Sequence, residues 1–465
     1  MTARLRAGTA RCDITPPVGI SHGNWSAQVH EGAEGIDIPL SCTVLSVTDG
    51  NEEVLIVEWD LLFPPTGAWL QEMQARITAL TGVPASHIRI SASHTHSGPN
   101  LSKAWFDGGA DMIAPYVASL TDRVAGTCVA AQRAQRPARI GSGTGSCKVN
   151  SSRRLLREGD RPLMYPNPNG FCDHSVGVIR IDDDETDQPI AILVNYAAHP
   201  TILAWDNRLI STDYPGTVRR TVEQISGGTC LFLQGATGDL DTIRDFSCRP
   251  EDARWIGRQI GLEAVRVAEL ISTRRTEPRM SKTVESSWTM GVVEYVPVEG
   301  PEPVVRCITR DVALPIWHRG PATPEEIAEY ENACQRLADL HAAGAPADQI
   351  REANRLAKCA GMSLNIIGMR SSGTERVMPF QAIRIGDVAL VGIPVEPFSA
   401  IGVAVKEASP FTTTFFSGYT NGANAYLPTA EAYDEGGYEV WITPYAPEAA
   451  QVAIDESIKL LKDLA

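Results

Sequence analysis

Apolar residues in this chain gather into short unbroken runs more than into alternation, and runs of strand length mark strands buried on both faces. Residues 54–59, 88–93, 190–196, 230–233, 388–393 and 413–416 read this way. Between the first two runs, Leu70, Met73, Ile77 and Leu80 fall at helical spacing and Gly82 supplies a stop. This is a β-α-β unit, and a right-handed crossover places Asp60 and His94, at the two strand ends, side by side. Further helices are predicted over residues 214–225, with Asp213 as cap, then through Ile256, Ile260, Ala264, Val267 and Ile271, and last through Ile454, Ile458 and Leu461. The fold class that follows is α/β, a mixed, largely parallel sheet flanked by helices, with the active site at the C-terminal ends of its strands. Residues 1–465 are expected to form one catalytic domain. Within it, 147–175 carries turn residues and arginines and reads as an active-site loop. Residues 323–361 read as a helical hairpin inserted between strands and broken near Ala343-Gly344-Ala345-Pro346.

Composition narrows the setting. A net charge of -15 argues against nucleic acid, whose phosphates are met by clustered Lys and Arg. The ten cysteines are scattered with no C-x-x-C pair, as buried thiols in a reducing compartment would be. The N-terminus runs straight into Cys12-Asp13-Ile14-Thr15 without an apolar segment of signal type, and no apolar run reaches membrane-spanning length. A cytoplasmic enzyme for a small molecule is expected, with no nucleic-acid or membrane partner. The helical hairpin is a surface or subunit-contact element, which leaves room for a homo-oligomer.

Five of the runs break off close to residues that bind metals or move protons. His94-Thr95-His96 follows 88–93, His199-Pro200 follows 190–196, and Gly238-Asp239-Leu240-Asp241 follows 230–233. Glu396 follows 388–393, and the stretch from Asn421 to Tyr426 follows 413–416. Two imidazoles at i and i+2 on extended backbone point to one face, so one metal can take either or both. Glu396 could as well cap a helix, and Tyr426 by residue type alone is a packing residue.

These same stretches resemble the neutral ceramidases. Ser93-His94-Thr95-His96-Ser97-Gly98-Pro99 is similar to their zinc motif, as are Asp13-Ile14-Thr15-Pro16-Pro17, His199-Pro200 and Gly238-Asp239-Leu240. The stretch from Asn421 through Tyr426 and Tyr433 to Tyr438-Glu439 matches in spacing as well. The resemblance implies a Zn²⁺ ion held by His94, His199, Glu396 and Tyr426, with His96 beside it as a proton-handling group. It also implies an arginine on the substrate, for which Arg153 and Arg154 are both candidates. Three departures accompany it. Asp241 stands where ceramidases carry a serine, the additional C-terminal β-domain is not expected here, and no export signal is read.

The expected activity is zinc-dependent hydrolysis of an amide, ester or lactone in a soluble small molecule, most of all an amide. Asp241 or His96 would serve as general base, and Arg153 or Arg154 would bind a carboxylate or the developing oxyanion. The alternative is a zinc-dependent lyase or isomerase of a polar, hydroxylated or carboxylated molecule, in which Asp241 moves a proton on carbon.

Overall fold

The computed structural model describes residues 5–101, 108–157, 159–298, 300 and 302–465. Its largest sheet has eight strands in the order Thr229–Gln234, Pro189–Tyr196, Ser175–Asp183, Arg136–Ser146, Arg6–Asp13, Ser41–Thr48, Glu53–Trp59 and Ile88–Ala92. The expectation of a largely parallel sheet is corrected, since five of its seven pairings are antiparallel and two are parallel. The reason lies in the connections. Tight polar turns such as 49–52 and 184–188 join neighbouring strands, and an antiparallel pair needs no more than that.

A second sheet runs Val305–Pro315, Glu375–Ile385, Val388–Gly392 and Thr413–Ser417, with only the last pairing parallel. Parallel pairing is therefore a minority in these two sheets. The three parallel pairs within these two sheets are the ones whose exits bear His94, His199 with Asp241, and Glu396 with Tyr426. Gln234, ending one edge strand of the large sheet, donates to the carbonyl of Ser93 beyond the other edge strand at 3.3 Å. Asn421 ties the second sheet to the first by accepting from Ile90 N–H and donating its own N–H to Ile90 C=O, both at 2.8 Å.

The helices follow the apolar periodicity. Gly67–Thr81 buries Leu70, Met73 and Ile77 and ends on Gly82, whose φ of 78° suits a residue without Cβ. Tyr214–Ser226 starts at Asp213, whose side chain accepts from Tyr214 N–H. Pro250–Leu270 and Ala449–Leu464 bury one face each. The helical hairpin is present as Pro324–Ala342 and Ala347–Arg370, nine residues longer at its end than the sequence pattern placed it, and opens with a Thr323–Glu326 capping box. The stretch 147–175 is corrected from loop to ribbon. Strands Asn150–Arg157 and Asp160–Asn167 pair antiparallel, and Leu240–Thr242 adds to their edge. Its polar, arginine-bearing strands give no apolar period to read.

Candidate functional site

His94 and His199 reach the site by the same device. Each ring donates Nδ1–H to a main-chain carbonyl, His94 to Leu62 at 2.6 Å and His199 to Thr237 at 2.7 Å. That fixes both tautomers and turns both Nε2 lone pairs inward, the arrangement typical of metal-bound histidines. Between them lies Glu396, with Oε2 at 3.5 Å from His94 Nε2 and 3.4 Å from His199 Nε2. Glu396 pairs in parallel with Tyr426, and the Tyr426 hydroxyl stands 3.2 Å from His199 Nε2. On the other side His96 Nε2 stands 3.4 Å from His94 Nε2.

Donor atoms in a tetrahedral zinc shell with bonds of about 2.0–2.1 Å lie about 3.3 Å apart along its edges. The separations around Glu396, His94 and His199 match such edges. The residues therefore fit a metal, with His94, His199 and Glu396 as the shared corner. Tyr426 and His96 flank it, one beside each histidine, and the three histidine donors also lie within 4.8 Å of one another.

The local backbone is bent to achieve this. His94, Tyr419, Asn421 and Ala425 have φ of 69°, 50°, 53° and 63°, a region that side-chain-bearing residues occupy at a cost. Gly238 is required by close approach, because a Cβ there would lie 2.7 Å from the Glu396 carbonyl oxygen. Its neighbour Asp239 accepts from Ser399 N–H and Oγ, so it holds the helix Ser399–Glu407 in place rather than entering the site.

Burial, and then the neighbouring His94, push the His96 imidazolium far down, and burial, then Arg153, lower that of His199. Burial opposes ionisation of Glu396, but His94 and His199 outweigh it and hold the carboxyl well below the usual range. Burial and Glu396 together raise the Tyr426 phenol well above its ordinary value.

Of the two candidate arginines, Arg153 enters the site and Arg154 does not. Successive strand residues face opposite ways. Arg153 donates to Glu439 at 2.8 Å, to Asp241 at 3.2 Å and to the Tyr426 hydroxyl at 3.1 Å. Arg154 turns to Glu439 at 2.6 Å, Glu435 at 2.9 Å and the Gly436 carbonyl at 2.7 Å. Asp241 pairs in register with Ser151, two residues from Arg153 on the same face, and its carboxylate is buried against that guanidinium. Asp245 accepts from Thr201 Oγ1 at 2.8 Å, and burial together with the neighbouring Asp241 carboxyl raises it well above the usual carboxylate range.

Asp60 lies beside the His94 strand end as expected. It accepts from Ser93 Oγ at 3.1 Å, and its other oxygen takes Arg219 at 2.6 Å. The residue types alone did not mark Tyr419, whose ring stacks on His94 at 4.0 Å and whose hydroxyl donates to Glu396 at 3.4 Å. Nor did they mark Trp25, 5.1 Å from the His96 ring and packed with Trp205 and Phe246. Glu439 sits within a motif read from the sequence, but its work as anchor of both arginines required the third dimension.

No family model matches the chain. A neutral ceramidase of Pseudomonas aeruginosa is 25% identical over 421 residues, 82% of this chain and 60% of the relative, so the chain spans about three fifths of that protein's length. The crystal structure of neutral ceramidase from Pseudomonas aeruginosa superposes with a TM-score of 0.68 at 20% identity, over all of this chain and 75% of the other. A structure described as ceramidase complexed with C2 gives the same TM-score and identity over 99% and 75%. In sequence and in fold this chain is similar to the neutral ceramidases, as its His-Thr-His, His-Pro and Gly-Asp-Leu motifs imply.

Proposed function

We propose that this chain is a metal-dependent hydrolase that cleaves an amide bond in a small molecule. The observation that carries the proposal is the pair of buried imidazoles whose Nδ1 atoms are tied to main-chain carbonyls while their Nε2 atoms converge on Glu396. Imidazole nitrogens, a carboxylate and a phenol suit zinc among the common divalent ions. His94, His199, Glu396 and Tyr426 would hold it, and it would supply Lewis acidity toward a carbonyl and ease the deprotonation of water.

The chain's own groups divide the remaining work. His96 keeps a buried Nδ1 without a partner among the described residues, which leaves that nitrogen free to take a proton and pass it to a leaving amine. Asp241 is already committed to Arg153, so its role is to hold that guanidinium against the Tyr426 hydroxyl. Arg153 has three protein acceptors and is not poised for a substrate carboxylate. The ring of Trp25 beside His96, with Trp205 and Phe246 packed against it, suits a neutral amide with an apolar part. The similarity to ceramidases makes N-acylated amino alcohols the first class to assay, beside soluble amides. All ten cysteines are free thiols, in keeping with the cytoplasmic setting that we propose for it.

The test is turnover of an amide, ester and lactone panel by metal-loaded protein, with two products as the readout. His96→Ala is expected to lower kcat by roughly 10²–10⁴ with metal content retained, the usual worth of a positioned acid or base. A single product of unchanged mass would replace hydrolysis with the isomerase reading. Metal lost from His96→Ala but kept in Tyr426→Phe would exchange the roles of those two residues.

A further inference from the structure

The strands Thr276–Glu285 and Thr289–Pro297 form a two-stranded ribbon that pairs with no other strand among the described residues. None of its residues is buried. Its exposed side chains nonetheless include Met280, Val284, Met290, Val293, Tyr295 and, at the turn, Trp288, which is 83% exposed. An isolated hairpin is marginal in water, and a cluster of large exposed apolar groups marks an interaction surface.

The two edges of the ribbon are unlike. Thr276–Glu285 carries the three devices that discourage pairing: Pro278, Lys282 and a bulge between Met280 and Lys282. Paired along its full length with its own copy, it would set Arg279 opposite Lys282. Thr289–Pro297 has no bulge, no lysine and no proline before its last residue. Its one charge, Glu294, is already opposite Arg279 within the ribbon.

We propose that the outer edge of Thr289–Pro297 pairs antiparallel with the same edge of a second copy of this chain, joining two ribbons into a four-stranded sheet across a twofold axis at Val293. In that register Val293 faces Val293, Val292 faces Glu294, Gly291 faces Tyr295 and Met290 faces Val296, so no like charges meet. The joined edge is about 27 Å long at about 3.4 Å per residue. Edge pairing alone falls short of the ~800 Å² per partner of a standard interface, and the same register supplies more. It brings Trp288 of one copy level with Val298 of the other, whose N–H bonds to the Arg275 carbonyl. Beside Arg275 a groove of about 290 Å³ opens over Gly141 and Gly143, walled by Val267, Ile271 and the exposed Leu270. An aromatic tip and a groove of mixed lining, apolar along Val267, Leu270 and Ile271 and polar at Arg266, Arg275 and Asp387, then cover each other at both ends of the sheet.

The test is sedimentation velocity on the full chain over about 1–100 µM, the range in which an interface of this kind is half-formed. The wild type is expected to dimerise reversibly. Val293→Lys and Val293→Glu should each weaken the dimer by about tenfold or more, because each sets like charges face to face at the axis. An equimolar mixture of the two should restore it, since Lys then faces Glu, and this rescue separates lost pairing from lost folding. Lys282→Ala, on the guarded edge, should leave the dissociation constant within about twofold of wild type. A wild type that stays monomeric at about 100 µM, a dimer indifferent to both Val293 variants, or a mixture no tighter than its parts would overturn the proposal.

Discussion

Two of the buried arginines among the described residues, Arg153 and Arg89, are treated in opposite ways. Arg153, at the candidate site, is met by two carboxylates and a phenol, each within 3.2 Å. Arg89, in the strand Ile88–Ala92 that carries His94 at its end, is equally buried, yet none of its three guanidinium nitrogens has a hydrogen-bond partner among the described residues. Burial pulls Arg89 down to about 10, whereas the acceptors around Arg153 raise it well above the ordinary value in spite of burial. A buried charge is costly unless its partners are built around it. The partners exist around Arg153, where chemistry is proposed, and the Arg89 site merely bears the cost.

The largest effect should come from removing the well-partnered charge. Arg153→Met leaves Glu439 and Asp241 facing each other across an apolar gap, and denaturant unfolding should show a loss of about 3–5 kcal/mol. Arg154 would still hold one oxygen of Glu439 at 2.6 Å, so the damage should concentrate on Asp241 and Tyr426.

Arg89→Met should act in the other direction. Replacing an unpartnered buried cation by an apolar side chain of similar length should be neutral to stabilising, by up to about 4 kcal/mol on the scale of buried ion pairs replaced by hydrophobes. A marked loss of stability in Arg89→Met would show that the guanidinium has partners after all and would dissolve the contrast.

The smallest effect is one of pH and sharpens the comparison with an intermediate case. Asp213 is buried, accepts from Leu203 N–H at 3.1 Å and Tyr214 N–H at 2.7 Å, and hydrogen-bonds to no cation among the described residues. Burial, only partly offset by these donors, raises it to about 7 from an ordinary 3.8. A carboxyl raised in the folded state costs nothing below the unfolded value, and it draws stability away as pH climbs from there to the folded value. The stability of Asp213→Asn relative to wild type should therefore rise between about pH 4 and 7. A flat difference over that window would mean that Asp213 is ionised in the fold.

The contrast also marks what a sequence can disclose. The apolar runs announced the strands, and the residues just beyond them announced the groups that meet at Glu396, because a strand exit is a local event with a local pattern. The balance of parallel and antiparallel pairs was hidden, because strands such as Ser41–Thr48 and Ser175–Asp183 mix polar with apolar residues and do not stand out as unbroken runs. Arg153 and Arg154 were indistinguishable in one dimension, and only the pleat separates them by face. The partners of Arg153 come from residues 241, 426 and 439, hundreds of positions away in part, and the lack of partners at Arg89 is equally non-local. The ribbon 276–297 carries no long unbroken apolar run, so the sequence pattern did not single it out. Its isolation is visible only once every other strand has found its place.

The central claim is that His94, His199 and Glu396 are the corner of a metal site, and the most direct measurement is the metal content of purified wild type beside His199→Ala. About one zinc per chain in the wild type, lost together with activity in the variant, is the expected result for a single site of this donor set. Full metal occupancy in His199→Ala, or a wild type that binds no divalent ion when it is supplied, would contradict the account.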